Sequence, residues 1–81
     1  MRLVLVTRQG CHLCDDALRL LQDLGVHPDL ADVDADNELY RLYDFRVPVL
    51  LVDGAVVAEG RITKDQLAEA LRRSGRGPAP G

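Results

Sequence analysis

Two apolar runs on either side of Asp53-Gly54 constrain the fold more than any other feature of the sequence. Residues 47–52 precede this dipeptide and residues 55–58 follow it. Asp-Gly supplies the positive φ angles of a type I′ turn, whose twist matches that of two antiparallel strands. The sequence therefore predicts a β-hairpin over residues 47–58, with Pro48 near the start of its first strand, where no ladder donor is needed.

A strand, a loop and a helix are predicted at the other end of the chain. Residues 3–6 are continuously apolar, as expected of a strand buried on both faces, and they lead into a polar loop that ends at Gly10. From Cys11 onwards, apolar residues recur at helical spacing as far as Leu24, and Gly25 is placed to end the helix.

The remaining signals complete a βαβαββα order. Residues 29–33 predict a second strand, Asp36 is placed to cap a helix that runs through Tyr43, and Thr63 with Gln66 matches the capping box of a last helix. This order predicts an α/β fold with a four-stranded mixed sheet flanked by helices, whose first βαβ unit is parallel. Three aromatic residues are expected to lie in or near the core around the second helix, with ligand stacking as the alternative: Tyr40, Tyr43 and Phe45.

Length and charge limit the domain count and the partners. The 81 residues suit one domain, predicted over residues 1–74, and the Gly- and Pro-rich residues 75–81 are predicted to be a flexible tail. A net charge of -3 disfavours nucleic acid and anionic lipid as partners. The first apolar run is too short for an export signal, and no segment is long enough to span a bilayer. We therefore expect a cytoplasmic monomer.

The motif Cys11-His12-Leu13-Cys14 lies where the predicted first strand gives way to a helix. A disulfide between cysteines this close in the sequence closes a very small ring and stabilises a fold only a little. In a chain without an export signal, such a pair is more often redox-active or metal-binding. Unpaired N–H groups and the helix dipole favour a thiolate at Cys11, and Cys14, one turn later, can attack a mixed disulfide formed there. His12 is either a contributor to thiolate stability or a solvated motif residue.

Val47-Pro48 is the second feature predicted to face the cysteines, because its strand lies beside the first one in the deduced sheet. A cis peptide bond at this position is a hypothesis. It would turn the N–H and carbonyl of Val47 toward an incoming chain.

Together, these motifs resemble the glutaredoxin-like group of short bacterial proteins, in the thioredoxin-fold superfamily. The resemblance covers residues 1 to about 73 and rests on T-R-x-G-C-H-L-C, V-D at 33–34, V-P-V-L at 47–50, D-G at 53–54 and E-G at 59–60. It implies a thioredoxin-like fold in which Cys11 is the nucleophile, Cys14 resolves the mixed disulfide and Pro48 is cis.

The resemblance also implies a substrate-binding set. Glutathione-binding glutaredoxins use a basic residue before the motif, the residue preceding the cis proline, and a Gly-Gly-x-Asp stretch before the last helix. Arg8, Val47 and Gly60 occupy corresponding places, and His12 and Pro48 complete the predicted set. Residues 58–61 read Ala-Glu-Gly-Arg and lack the paired glycines and the aspartate. No tightly bound cofactor is expected, and glutathione is a candidate co-substrate. Arg8 could instead be a solvated loop charge, and Gly60 could serve the backbone alone.

The leading functional prediction is a thiol-disulfide oxidoreductase that reduces or exchanges protein or small-molecule disulfides through a mixed disulfide. Its expected partners are a disulfide-containing protein or a glutathione mixed disulfide, and a reductase as electron donor. Two alternatives stay open, a metal or iron-sulfur carrier and a noncatalytic interaction module. A closed metal site in the monomer is not predicted, because only His12 is locally available beside the two thiols and zinc takes four ligands.

Overall fold

Strands and helices follow the predicted order in the computed structural model, which describes residues 2–73. The elements are β1 (Leu3–Thr7), α1 (His12–Asp23), β2 (Asp29–Asp32), α2 (Asn37–Tyr43), β3 (Val49–Val52), β4 (Ala55–Glu59) and α3 (Lys64–Arg73). None of the helices in this part of the chain is both long enough and apolar enough to cross a membrane. The tail predicted at residues 75–81 lies outside the described residues, and the domain boundary at residue 74 stays a prediction.

The four strands form one mixed sheet in the order β2-β1-β3-β4. β1 is parallel to β2 and antiparallel to β3, which is in turn antiparallel to β4. Val6 pairs with Val49, so the residues that follow β1 and the residues that precede β3 meet at one end of the sheet. This pairing brings the loop that carries Cys11 next to Val47 and Pro48.

The core has two layers, one on each face of the sheet. The first layer joins alternate strand residues to α1, α3 and the adjoining loops: Leu3, Leu5, Leu50 and Val52 with Ala17, Leu21, Val26, Ile62, Leu67 and Leu71. The second lies on the face covered by α2: Val6, Val33, Tyr43 and Val49. Because helices cover both faces, β1 needs apolar residues at successive positions, which explains its continuous apolar run.

The start of α2 and the end of α1 lie at the residues that the sequence predicts, Asp36 and Gly25. The N–H of Leu39 donates to Asp36 Oδ1 at 3.0 Å at the start of α2. At the end of α1, Gly25 N–H donates to the carbonyl of Gln22 and Val26 N–H to that of Leu21, both at 2.9 Å. This pair of bonds is a Schellman motif, which satisfies carbonyls that the helix leaves unpaired.

The hairpin turn also has the predicted geometry. Asp53 and Gly54 have φ angles of 51° and 85°, so both central residues are in the left-handed region that a type I′ turn requires. The strand pairing shifts between Leu50 and Leu51, because Leu50 pairs with Ala58 and Leu51 with Val56. One residue of β4 is therefore extra, as in a β-bulge.

The aromatic residues around α2 follow the prediction only in part. Tyr43 is buried at 9% exposure, but Tyr40 is 48% exposed and Phe45 is 95% exposed. The expectation that Phe45 lies in or near the core is wrong. α2 ends at Tyr43, so Phe45 falls in the turn that follows and has no place on the packed face of the helix.

Candidate redox site

Cys11 is the N-cap of α1 and Cys14 lies in its first turn. Cys11 has an extended backbone (φ -93°, ψ 107°), and its Sγ accepts the N–H of Cys14 at 3.1 Å. The two Cα atoms are 5.2 Å apart and the sulfurs lie at disulfide distance. A sulfur in this position uses an N–H that the helix cannot pair internally, and such a hydrogen bond favours the anionic form of sulfur.

The two sulfurs differ in their access to solvent. Cys14 is 1% exposed and belongs to the buried face of α1, together with Ala17 and Leu21. Cys11 is half-buried, because it precedes the helix and lies at its open end. A substrate approaching from solvent therefore meets Cys11 first, and Cys14 lies behind it.

His12 is exposed and lies on the solvent side of the motif. Within residues 2–73, its side chain forms no hydrogen bond or ion pair. Its predicted contribution to substrate binding stays a prediction. Across the same residues, no three His, Cys, Asp or Glu side chains are grouped closely enough to hold a metal ion.

The Val47–Pro48 peptide bond is cis, as hypothesised from the sequence. Pro48 is fully buried, and its carbonyl accepts the N–H of Gly60 at 2.9 Å. Gly60 has a φ of +70°, and a Cβ built there would meet nothing within 4 Å. The position therefore favours glycine for its backbone conformation and not for lack of space. The hydrogen bond from Gly60 to Pro48 holds the end of β4 next to the proline.

The backbone of Val47 has no hydrogen-bond partner among residues 2–73. Its N–H and its carbonyl form no hydrogen bond within the described part of the chain, since the ladder between β1 and β3 reaches only as far as Val49. Adjacent unpaired N–H and C=O groups are what an extended polypeptide needs to add itself to a sheet edge. Such a chain would lie at the same end of the sheet as Cys11.

Arg8 joins three segments around the site. Its Nε and Nη2 donate to the two carboxylate oxygens of Asp34, each at 2.9 Å, and its Nη1 donates to the carbonyl of Asp44 at 3.1 Å. Nη2 also donates to the Asp44 carboxylate. The carbonyl of Arg8 accepts the N–H of Cys11 at 3.3 Å. We call Arg8, Asp34 and Asp44 the Arg8 cluster; it ties the loop before Cys11 to the ends of β2 and α2.

These bonds also determine the ionisation of the cluster. The hydrogen bonds to Asp34 and Asp44 raise the pKa of Arg8 further above its ordinary value, so the guanidinium keeps its charge. The Arg8 guanidinium in turn holds the pKa of Asp34 below its usual range. Arg8 is therefore neither a solvated loop charge nor an unpaired cation, and its predicted binding role stays a prediction.

Sequence reasoning missed the partners of Arg8, although a signal for one of them was present. β1 and β2 are parallel, so their carboxyl ends meet, and Arg8 and Asp34 each follow one of these strands closely. A basic and an acidic residue in such positions are expected to pair. Asp44 follows the end of α2, and no sequence pattern indicated its contact.

Arg46 forms a second set of contacts between distant segments, which no sequence pattern indicated. Its Nε donates to Glu59 Oε2 at 2.6 Å, and its guanidinium carbon lies 5.2 Å from the centre of the Tyr43 ring. The bond to Glu59 raises the pKa of Arg46 above its ordinary value. Arg46 therefore joins the segment before Val47 to the end of β4, beside Gly60.

A family model and several solved structures match most of this chain. The family model described as Glutaredoxin-like domain (DUF836) matches residues 2–72. The structural genomics target protein XcR50 from X. campestris is 30% identical, with a TM-score of 0.76 over 88% of this chain and 96% of that one. Protein Ne2328 from Nitrosomonas europaea is 28% identical, with a TM-score of 0.72 over 84% of this chain and 87% of that one.

A third solved structure, the thioredoxin-like protein BC3987, is 27% identical and has a TM-score of 0.70, over 86% of this chain and 100% of that one. None of the curated proteins compared with the chain matches it. The family model covers β1 to α3 almost completely, including both cysteines, the cis proline and Gly60. The chain therefore belongs to the glutaredoxin-like family and has a thioredoxin-like fold.

Proposed function

We propose that this protein is a thiol-disulfide oxidoreductase, in which Cys11 attacks a substrate disulfide and Cys14 resolves the product. The observation that carries the proposal is the arrangement of the two sulfurs. Cys11 caps α1 with its Sγ on the N–H of Cys14, and Cys14 is buried within disulfide distance behind it.

The reaction balances as two exchanges. The Cys11 thiolate attacks one sulfur of the substrate disulfide, forms a mixed disulfide and releases the first substrate sulfur as a thiolate, which takes up a proton. Cys14 then loses its proton and attacks the Cys11 sulfur, forming the Cys11–Cys14 disulfide and releasing the second substrate thiol. The substrate gains two electrons and two protons, and the protein dithiol loses them.

The geometry supports this order of attack. Only the thiolate is an effective nucleophile, and a helix N-terminus lowers the pKa of a thiol from about 8.5 toward values of about 3.5 to 7.5. Cys11 has this position, whereas Cys14 is one turn further along and buried. Cys14 reacts instead within the chain, where its 5.2 Å Cα separation from Cys11 suits a disulfide.

The cycle needs a reductant that returns the Cys11–Cys14 disulfide to the dithiol. A thiol such as glutathione or the dithiol of a reductase supplies the two electrons, and a reducing cytoplasm is the compartment that we propose. The proposed partners are thus a disulfide substrate on one side of the cycle and a thiol reductant on the other.

The test uses the reduced Cys14→Ser variant, so that Cys11 is the thiol under study. Its alkylation rate is measured against pH, and the protein is then mixed with a small aromatic disulfide. We expect the thiol to titrate below about 8.5 and one stable mixed disulfide to form per chain. Cys11→Ser is the control and should form none rapidly. Slow alkylation with an unshifted pKa at Cys11 would refute the proposal.

A further inference from the structure

We infer that a shallow groove beside the cysteine motif binds a carboxylate of an acidic polypeptide substrate, through the guanidinium groups of Arg19 and Arg61. The inference rests on the proposed function and narrows its substrate class to polypeptide disulfides with an Asp or Glu near the reacting cysteine. It follows from the place in the fold where the unpaired cations of residues 2–73 lie.

Most basic side chains of the described chain are paired with carboxylates. The paired ones are Arg2, Arg8, Arg41, Arg46, Arg72 and Arg73. Within residues 2–73, the side chains of Arg19, Arg61 and Lys64 form no ion pair or hydrogen bond, and all three residues are exposed. Arg19, Arg61 and Thr63 line one groove, and Lys64 directly follows Thr63. The cations that the fold leaves unpaired are therefore concentrated at one place.

This groove, the Arg61 groove, lies between α1 and the segment that joins β4 to α3. Its volume is about 410 Å³. Leu13, Leu20 and Ile62 provide its apolar lining, and Arg19 and Arg61 provide exposed cations. A carboxylate accepts hydrogen bonds from a guanidinium, and the aliphatic part of an acidic side chain can pack on apolar neighbours. The lining therefore suits an Asp or Glu side chain of a polypeptide.

The Arg61 groove begins next to the attacking sulfur. Leu13 is two residues past Cys11, so their Cα atoms are at most about 7 Å apart. Arg19 is about 12 Å from Cys11 along α1, and Arg61 follows Gly60, which is hydrogen-bonded to the cis proline. An extended chain spans about 3.3–3.6 Å per residue, so an acidic residue about two to four positions from the substrate cysteine reaches the groove.

The charge of the groove favours an anion over a cation. Asp16 also lines it, but within residues 2–73 it forms no ion pair, although Arg19 lies three residues further along the same helix. Two guanidinium groups therefore face one carboxylate, in a chain whose net charge is -3. A substrate carboxylate can bind here without breaking an internal ion pair. Glutathione has carboxylates but no apolar side chain for the lining, and this favours the polypeptide.

The experiment compares short peptides as substrates of the wild-type protein. Each has one cysteine in mixed disulfide with a chromogenic thiol, and they differ only in having glutamate, glutamine or lysine three positions before and after the cysteine. At low ionic strength we expect kcat/KM to be about three- to fivefold higher for the glutamate peptide than for the glutamine peptide, and lowest for the lysine peptide. The differences should shrink between about 0.01 M and about 1 M salt, because the Debye length falls from about 30 Å to about 3 Å.

Variants locate this preference on the protein. Arg61→Gln and Arg19→Gln should each lose most of the preference for glutamate over glutamine, and the ratio of the two rates cancels any effect on the Cys11 thiol. Asp16→Asn should raise the preference about twofold, because it removes the carboxylate of the groove itself. Arg2→Gln is the matched control, since it removes the same charge from an exposed side chain that precedes β1, whereas Cys11 follows this strand. It should keep the wild-type preference.

The outcomes separate the two proposals. The chromogenic disulfide without a peptide tests the reaction itself: if the wild-type protein reduces neither this disulfide nor any peptide, the oxidoreductase proposal fails and the inference fails with it. If the reaction occurs but the glutamate and glutamine peptides react equally at low salt, only the inference is overturned. The same holds if Arg61→Gln and Arg19→Gln keep the preference, or if Arg2→Gln loses as much of it. A glutathione mixed disulfide that reacts faster than the glutamate peptide, and loses this advantage in Arg61→Gln, would also overturn the assignment to a polypeptide.

Discussion

The capping box of α3 allows a quantitative prediction from two hydrogen bonds. Thr63 Oγ1 accepts the N–H of Gln66 at 3.1 Å, and Gln66 Oε1 accepts the N–H of Thr63 at 3.0 Å. The helix that begins here places Leu67 and Leu71 in the core, both at 0% exposure. A loosened first turn of α3 therefore weakens packing in the core layer that α3 shares with α1.

Replacing Thr63 with Ala removes one acceptor and leaves the N–H of Gln66 without its partner. Loss of a Ser or Thr N-cap costs about 0.5–2 kcal/mol, and about 1 kcal/mol is expected here because the site is exposed and water replaces part of the bond. In a domain of this size, about 1 kcal/mol lowers Tm by about 4–8 °C.

The assay is urea unfolding followed by far-UV circular dichroism, with the dithiol and the disulfide forms measured separately. Thr63→Ser is the control, since it keeps the hydroxyl and should lose little free energy of unfolding. The reasoning is refuted if Thr63→Ala changes this free energy by less than about 0.3 kcal/mol, or if Thr63→Ser costs as much as Thr63→Ala.

Two further predictions concern the surroundings of the site. The pKa of Asp34 is lowered in the folded protein from its ordinary 3.8, so its pairing with Arg8 stabilises the fold above that pH and is lost as the pH falls through the lowered pKa. Unfolding titrations should therefore show Asp34→Asn less stable than wild type at neutral pH, with the gap closing in acid; a gap independent of pH would contradict this. Gly60→Ala should lower the free energy of unfolding by about 1–2 kcal/mol, because alanine is strained at a φ of +70° although space is available. Denaturant unfolding measures this cost, and an unchanged midpoint would refute it.

Much of the fold could be predicted from local signals in the chain. The hairpin at Asp53-Gly54, the cap at Asp36 and the capping box at Thr63 each involve residues at most three or four apart, so their spacing in the sequence is nearly their spacing in space. The strand-to-helix junction at Cys11 is local in the same sense. The α/β fold with a mixed sheet then follows from the order of the elements, and the sheet topology confirms it.

The surroundings of the cysteines depend on contacts that no local pattern contains. Arg8 lies 26 residues from Asp34 and 36 from Asp44, and these residues meet only because β1 and β2 are parallel neighbours and α2 covers the second face. Whether Arg8 is free or paired could not be read from its position before the motif. The cis state of Val47–Pro48 was a hypothesis until the backbone around it was known.

The sequence by itself determined where the two cysteines lie relative to a strand and a helix, because this placement depends only on local geometry. The tertiary structure decided which groups around the cysteines are paired and which stay exposed. It paired Arg8 and Arg46 internally, and it left the backbone of Val47 and the guanidinium of Arg61 without partners in the described part of the chain. The physical reason is that burial and charge pairing depend on which distant segments pack together, whereas caps and turns depend on neighbours in the chain.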